Sequence, residues 1–578
     1  MSEPTNKVVV TLKIGVDVDA FIEEMSTHGN VSPHVPERAV EIFNLKPESL
    51  RNVDFTMTRA EMEELKKDER VIDCRWGTKA ENGIVIKLHG TQQVNAVRAP
   101  TYISPYDNNW ALVDCRTPNN VFTSNTVNAP TTYTLDGTGV DIVIQDTGIQ
   151  INHPEFQDAN GNSRVKKIDW WVEAGNSSDS RPWTPNILDA NMPAGFYQDT
   201  FGHGTNVASI AAGKTYGWAK NANIYVMKIF DTGALACERS FQLIRQWHQR
   251  KISQGINRPT IVNMSWGTSV NVSLSDLQNK TIVYRGTTIT TTSSTTVENL
   301  QQYGIFPVGD QPDDGNHNND GEQSIASTPA VLASLTAEAA DCINAGVILV
   351  GAAGNESYKI DVTGGVDYDN KLTIGGVDYY YHRGSTPTAL NISQSDILPT
   401  PLSGNDPSIN ADVVCVGAID YTKGGSGTYV QSNSTAKASF SNSGPRVDVY
   451  APGGMIAGAT CNSKTIDPSG TIDGYPVTSY YGDSQFKQQK ESGTSQASPQ
   501  VTGVLACVLQ KNPTYTQKEV QQWIRDNSVF GKIYDEGPNS YTNLYSLQGS
   551  DNRYLYFPYR DVKYSVSGAG SFSGGVSF

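Results

Sequence analysis

The stretch GVDIVIQDTG (139–148) decides how the chain is read. From Val140 to Ile144 it is apolar except for Asp141, and it then turns through Asp146, Thr147 and Gly148. A strand with no polar face to offer water is buried on both sides, as in a parallel sheet covered by helices. Asp146 stands at its carboxyl end, where open α/β sheets gather their functional groups.

The same character repeats outward from there. HGTNVASIAAG (203–213) reads as a helix of small residues, and ANIYVMKIF (222–230) as a strand. CERSFQLIRQWHQRKIS (237–253) is an amphipathic helix and PTIVNMSWG (259–267) a strand. A helix over 328–346 and strands over 347–355 and 412–420 continue the alternation. Apolar strands alternating with helices predict an α/β fold with a doubly wound, mostly parallel sheet. Residues 268–327, with TTITTTSSTT and DQPDDGNHNNDG, interrupt it and read as a surface insertion.

Residues 1–95 form a separate small α/β unit, from KVVVTLKI (7–14) to RVIDCRW (70–76), with helices over 18–29 and 59–69. A connector follows over 96–136, then the main domain over 137–548. The last part, 549–578, reads as a C-terminal β extension. Its RYLYFPYR (553–560) places Tyr554, Tyr556 and Tyr559 together, which suggests a contact with another copy or a larger assembly.

The 44 basic and 59 acidic residues leave a net charge of -15, which argues against nucleic acid or an anionic membrane as partner. No apolar run reaches membrane-spanning length. The start, MSEPTNKVVVTLKI, lacks the basic and apolar regions of a secretory signal. The expected location is therefore the cytoplasm or a virus particle. The seven cysteines include no CxxC pair and read as buried thiols. Asp310, Asp313, Asp314 and Asp320 form an acidic cluster, open to reading as a solvated loop or a calcium site; it lacks an EF-hand pattern.

Three segments hold residues of catalytic type at element ends. Asp146 ends a strand, His203 opens a helix, and Ser495 opens another in ESGTSQASPQVTGV (491–504). A serine made nucleophilic by a histidine that an aspartate orients performs acyl transfer. Asn355, after the strand in LVGAAGNES, can donate its amide to an oxyanion. Gly493 leaves room for a substrate backbone.

These segments resemble the subtilisin-like serine proteases: QDTGI (145–149), HGTNVAS (203–209) and GTSQASP (493–499), in that order. The resemblance implies Asp146, His203 and Ser495 as triad and Asn355 as oxyanion donor. It also implies substrate contacts at Ser265, Trp266 and Gly267 in VNMSWG (262–267), at Ala352, Ala353 and Gly354 in AAGN, and at Gly493. Trp266 is open to two readings, a pocket wall or a core residue. The chemistry needs no cofactor, and the resemblance allows a structural calcium whose ligands are unassigned. Residues 1–95 resemble the family's propeptide, an inhibitor and folding aid, with a processing site around 77–107. NNWALVDC (108–115) resembles the start of a mature enzyme. The chain departs from the pattern at Asn206, in place of a second histidine, at Gln496, in place of methionine, and at Gln500, where the family often has histidine. A serine endopeptidase acting on polypeptides, held latent by its own N-terminal domain, is the expected function. The alternative is an assembly or structural component, for example of a virus particle, built on the same fold.

Overall fold

Valine at alternate positions starts the first sheet. The computed structural model describes residues 5–27, 32–44, 49–76, 84–88, 109–116, 135–183, 192–230, 233–271, 278–296, 299–300, 303, 306–307, 327–328, 333–355, 359–374, 377–380, 389–390, 412–420, 435–463, 471–472, 475–480, 483–535 and 545–557. In it β1 (Thr5–Leu12) is followed by α1 (Val18–Ser26), β2 (Glu41–Asn44), β3 (Asn52–Thr58), α2 (Arg59–Leu65) and β4 (Val71–Trp76). The strands form an antiparallel sheet in the order β2-β3-β1-β4. Val8, Val10 and Leu12 share a core with Phe21, Met25, Phe55 and Met62. Thr58 and Glu61 close a capping box at the start of α2, satisfying two N–H groups of the helix end. β2 was not expected from the sequence. The opposite face of the sheet, with Val9, Thr11, Asn52 and Asp54, is buried as well.

The chain then gives β5 (Ile84–Leu88), β6 (Asp141–Asp146), β7 (Val165–Lys166), α3 (His203–Ala212), β8 (Asn223–Lys228), α4 (Cys237–Ser253), β9 (Thr260–Met264) and β10 (Trp266–Asn271). β11 (Thr281–Tyr284), β12 (Thr287–Thr290), β13 (Ser327–Thr328), α5 (Ala333–Asn344), β14 (Ile348–Ala352), β15 (Lys371–Ile374) and β16 (Val377–Tyr380) follow. The remainder holds β17 (Val414–Asp420), β18 (Val449–Pro452), β19 (Ile456–Thr460), β20 (Tyr475–Tyr480), β21 (Asp483–Glu491), α6 (Thr494–Lys511), α7 (Gln517–Asn527), β22 (Val529–Phe530) and β23 (Arg553–Tyr554).

The central sheet runs β22-β23-β18-β17-β14-β9-β6-β8-β7, and every pair in this path except β22–β23 is parallel. From β6 the chain first builds to one side, through β7 and β8, and then crosses to the other with β9. That reversal is a topological switch point, where a crevice opens beyond the carboxyl ends of the strands. The carboxyl ends of β6, β9 and β14 therefore lie side by side, carrying Asp146, Ser265 and, three residues past β14, Asn355. α6, buried from Thr494 to Leu509, packs on β17, β14, β18 and β9 and against α3.

Where it is described, the insertion is built into the fold. Its hairpin β11–β12 joins β15 and β16 in a four-stranded sheet. A further sheet, in which β21 pairs with β19 and β20, was missed in the sequence because DSQFKQQKE is polar at every position but Phe486. Among the described residues no helix is long and apolar enough to cross a membrane. All seven cysteines are buried, and none forms a disulfide among the described residues.

The expectation for the C-terminal extension needs correcting where it is described. Tyr554, Leu555 and Phe557 belong to the domain's own core, and β23 lies beside β18 in the central sheet. The Tyr554 hydroxyl donates to Asp114, whose carboxylate also takes Lys532 Nζ at 2.9 Å. The tyrosine is thus spent inside the chain and not on a partner; residues 558–578, with Tyr559, lie outside the described residues. Asp114 and Lys532 are both nearly inaccessible, so removing the cation leaves a carboxylate buried without its charge partner. Lys532→Met is expected to cost about 3–5 kcal/mol in urea unfolding of the full chain, the range for breaking a buried ion pair. A loss below about 1 kcal/mol, typical of a surface pair, would show that the clasp contributes little.

Candidate active site

α3 begins without a capping side chain of its own: Gly202 precedes it at φ 95°. Asp199 supplies what is missing. Its carboxylate accepts from the N–H groups of Phe201 (3.0 Å), Gly202 (2.7 Å) and Thr205 (2.9 Å) and from the Thr205 hydroxyl. It also accepts from Thr147 Oγ1 at 3.0 Å, which reaches into the turn after β6. Thr147 Oγ1 in turn accepts from Gly204 N at 2.9 Å, and Thr147 N donates to Asp146 Oδ1 at 2.7 Å. The end of β6 and the start of α3 are thereby stapled together.

The staple sets one contact. His203 Nδ1 lies 2.8 and 3.0 Å from the two carboxylate oxygens of Asp146. An acceptor-only carboxylate there places the ring proton on Nδ1 and leaves Nε2 as the basic nitrogen. Both side chains are buried.

Ser495 is the second residue of α6. Pro499, four residues on, lies beyond the first turn, and its lack of an N–H deprives the Ser495 carbonyl of its helical donor. Ser265 Oγ donates to that carbonyl at 3.0 Å, and Ser495 Oγ donates to the Ser265 carbonyl at 3.2 Å. Asn263 holds Ser265 Oγ through Nδ2 at 2.9 Å while its Oδ1 accepts from Ser498 and Thr502 on α6. Asn355 Oδ1 accepts from Thr494 N and Thr494 Oγ1, both at 2.8 Å. With the oxygen so used, the amide presents its donor end away from Thr494.

The remaining sequence-derived positions divide. Ser265 touches Ser495 directly. Trp266 is a core residue: its ring is fully buried near Phe230 and Phe241, and Nε1 donates to Gln145 Oε1 at 3.1 Å. The backbone of Trp266 and Gly267 pairs with Leu88 and Lys87 of β5, in an antiparallel ladder that runs back to Val270 opposite Ile84. Ala352 and Ala353 are buried, and Gly354, at φ 101°, donates to Thr494 Oγ1 at 3.1 Å. Gly493 N donates to Gly453 O at 2.8 Å. His153 is structural. It accepts from Glu155 N through Nδ1 and contacts Lys487 O through Nε2, and burial pushes its pKa down to about 4. Among the described residues no group of three or more His, Cys, Asp or Glu is placed to hold a metal ion. Asp310, Asp313, Asp314 and Asp320 lie outside them.

The profile of the subtilase peptidases (Peptidase S8) matches residues 137–555. The chain belongs to the subtilase family. This subtilase is 25% identical over 428 residues to an extracellular serine proteinase of Thermus sp. strain Rt41A, covering 74% of this chain and 62% of that protein. It is 25% identical over 286 residues to a cuticle-degrading serine protease of Orbilia oligospora, covering 48% and 45%. Against the alkaline serine exoprotease A of Vibrio alginolyticus it is 28% identical over 417 residues, covering 72% and 47%. The chain thus spans less than two thirds of the length of each. Among solved structures, a cold-adapted subtilisin-like serine proteinase covers 78% of this chain and 98% of its own, at 20% identity and a TM-score of 0.41. Fervidolysin from Fervidobacterium pennivorans covers 95% and 60%, at 16% and 0.48.

Sequence reading missed Asp199 and Thr494 in this subtilase. The signal for Asp199 was an aspartate four residues before a helix that lacks a capping side chain. The staple it forms is tight: a Cβ on Gly204 would lie 2.2 Å from Gly148 O and 3.2 Å from Asp146 Cβ. Gly204→Ala is therefore expected to push α3 off the β6 turn. The low-field proton resonance of a carboxylate-bound His203 Nδ1–H should be present in the parent chain and lost in this variant. An unchanged resonance would mean that the turn absorbs the methyl group without moving the histidine.

Proposed function

We propose that this subtilase is a serine endopeptidase whose N-terminal unit holds it latent. The observation that carries the catalytic reading is the Asp146–His203 pair, at 2.8 and 3.0 Å, on a helix packed against the one that Ser495 opens. His203 Nε2 takes the Ser495 proton as Oγ attacks a substrate carbonyl. Asp146 holds the ring and stabilises the imidazolium. Asn355 Nδ2 and the N–H of Ser495, in the first turn of α6, receive the oxyanion. The imidazolium passes its proton to the leaving amine, and water, activated by the same nitrogen, releases the acyl group. The substrate is a polypeptide, bound in extended form along β10.

Latency is supported by β5. It occupies the β10 edge as an added strand, in the way an extended peptide would, while Ser495 and His203 are both fully buried. The small sheet of the N-terminal unit docks on α5 through polar groups. Arg51 makes a bidentate pair with Asp341 at 2.9 and 3.0 Å and donates to Ala337 O. Ser49 and Asn52 donate to Glu338 Oε1, which also accepts from Gln242.

Ser495→Ala is expected to abolish peptide hydrolysis and labelling by an active-site phosphonate. Asn355→Ala should lower kcat about 10²–10³-fold with little change in KM, a magnitude borrowed from the oxyanion amide of subtilisin itself. Steady-state kinetics with a peptide substrate checks both; a change confined to KM would remove Asn355 from the transition state.

Docking should also respond to pH. Burial pushes the Glu338 carboxyl up, against the hydrogen bonds from Ser49, Gln242 and Asn52 and the nearby Arg245 charge. Its Oε2 has no hydrogen-bond partner among the described residues. The docked state then holds the Glu338 proton more tightly than the undocked state. Its contribution to docking is present at low pH and is lost as pH rises through the raised pKa. Residues 1–95 added in trans should therefore inhibit the processed enzyme less well as pH rises, and Glu338→Gln should flatten that dependence. Arg51→Ala should raise the inhibition constant at least about 30-fold, the equivalent of 2 kcal/mol for breaking a buried charge pair. Inhibition that ignores both variants would place the docking energy elsewhere.

A further inference from the structure

Asn206 and Gln496, two of the three positions where the motifs depart from the family pattern, lie on different helices and touch. Gln496 Nε2 is 3.3 Å from Asn206 Oδ1 and 3.0 Å from Glu491 Oε2. All three residues are fully buried. Asn206 sits one turn beyond His203 on α3, and its own Nδ2 donates to Ala459 O on β19 at 3.3 Å. Gln496 directly follows Ser495 on α6. Glu491 ends β21, four residues before Ser495. One amide nitrogen therefore serves two acceptors, one on the histidine's helix and one on the strand that leads into the serine.

An apolar side chain would fill this space without burying an amide and a carboxylate, which are costly unless hydrogen-bonded. What hydrogen bonds add over apolar filling is direction. Hydrogen bonds fix the groups that make them in one arrangement, here through the amide nitrogen alone, since Gln496 Oε1 has no hydrogen-bond partner among the described residues. The β19 face leaves little slack beside Asn206, since a Cβ on Gly458 would lie 2.5 Å from Asn206 Nδ2. Gln496 is thus held from both sides, and the backbone it fixes is that of the residue next to Ser495.

We propose that Gln496 is a positioning residue: through Asn206 and Glu491 its amide ties α3 to α6 and sets where Ser495 stands relative to His203. This rests on the reading of Ser495 as nucleophile and His203 as base. A misplacement of about 1 Å between reacting groups costs on the order of 10²-fold in rate, so a tether between the two helices acts on kcat.

The test uses the full chain after self-processing, with active sites counted by phosphonate titration. Q496M, alone and with E491Q to relieve the stranded carboxylate, is expected to lower kcat per titrated site about 10–100-fold while KM changes less than about threefold. Q496E provides a readout that packing would not move. Its carboxyl would face Glu491 at about 3 Å, where two such groups share one proton, so the tether would exist only while that proton is held. The ratio of Q496E to parent kcat/KM should therefore fall as pH rises. Parent-like kcat per site in the Q496M/E491Q double variant, or a Q496E ratio that is flat with pH, overturns the proposal. If the parent chain fails to react with the phosphonate, or S495A still hydrolyses peptide, the reading of the nucleophile is what has failed.

Discussion

A carboxylate buried at the end of a strand has to be met by donors, and that requirement organises the centre of this molecule. Moving such a group out of water costs several kcal/mol even after relaxation, and the surroundings repay it only with well-placed charge or hydrogen bonds. Asp146 is in this position, and Asp199, in the turn that leads into α3, is buried as well. The parallel sheet places the first at the switch point, and the start of α3 supplies the donors: backbone N–H groups for Asp199, the imidazole for Asp146. A helix N-terminus is the natural counterpart of negative charge. The glycines at 148, 202 and 204 follow from this closeness. Gly148, at φ 115°, has Gln198 O 2.3 Å from where a Cβ would stand.

The second helix is fixed by a different device, and it ties Ser495 to the start of β10. Pro499 leaves the Ser495 carbonyl open, and Ser265 closes it while accepting from the Ser495 hydroxyl. Ser265 is also the hinge residue between β9, which is inside the central sheet, and β10, which leaves it. The strand that pairs with β5 therefore starts directly after the residue that touches the candidate nucleophile. An exposed strand edge invites pairing, and β5 covers it on one side as β13 does on the other.

Much of this was legible in the sequence because both faces of the central strands are buried, so β6, β9, β14 and β17 carry apolar runs with no polar alternation. Asp146, His203, Ser495 and Asn355 were readable because each stands at an element end in a dense motif. Other features were hidden for physical reasons. β21 is polar because its first three residues are exposed and because Gln488 and Glu491, further along, are buried through hydrogen bonds. Tyr554 looked like an interface residue, but its hydroxyl has an internal partner, Asp114, that lies 440 positions away in the chain. Trp266 could not be placed from the motif alone. Its indole turns into the core because Gln145, on the neighbouring strand, accepts its N–H. Asp199 has no side-chain partner within its own motif except Thr205, and its role appears only when Thr147 is brought alongside.

Two kinds of attachment divide the chain between Leu88 and Asn109. Downstream, the segment from Asn109 is part of the catalytic domain's interior. Asn109 exchanges hydrogen bonds with Gln500 on α6, Trp110 donates to Gly454 O, and Asp114 holds Lys532 and Tyr554. Upstream, the N-terminal unit has a separate apolar core, and it meets α5 through hydrogen bonds from Ser49, Arg51 and Asn52 and α4 through the Arg75–Glu238 ion pair at 3.8 Å. Apolar cores come apart only by exposing their surface to water, whereas Glu338 and Asp341 gain hydration once their partners leave. The polar attachment is strong while every donor is in place and weakens steeply when one is lost, because the remaining groups then stay buried and unsatisfied. Such a contact can be undone without exposing an apolar core, and β5, which follows the unit in the chain, pairs with β10 directly beside Ser265.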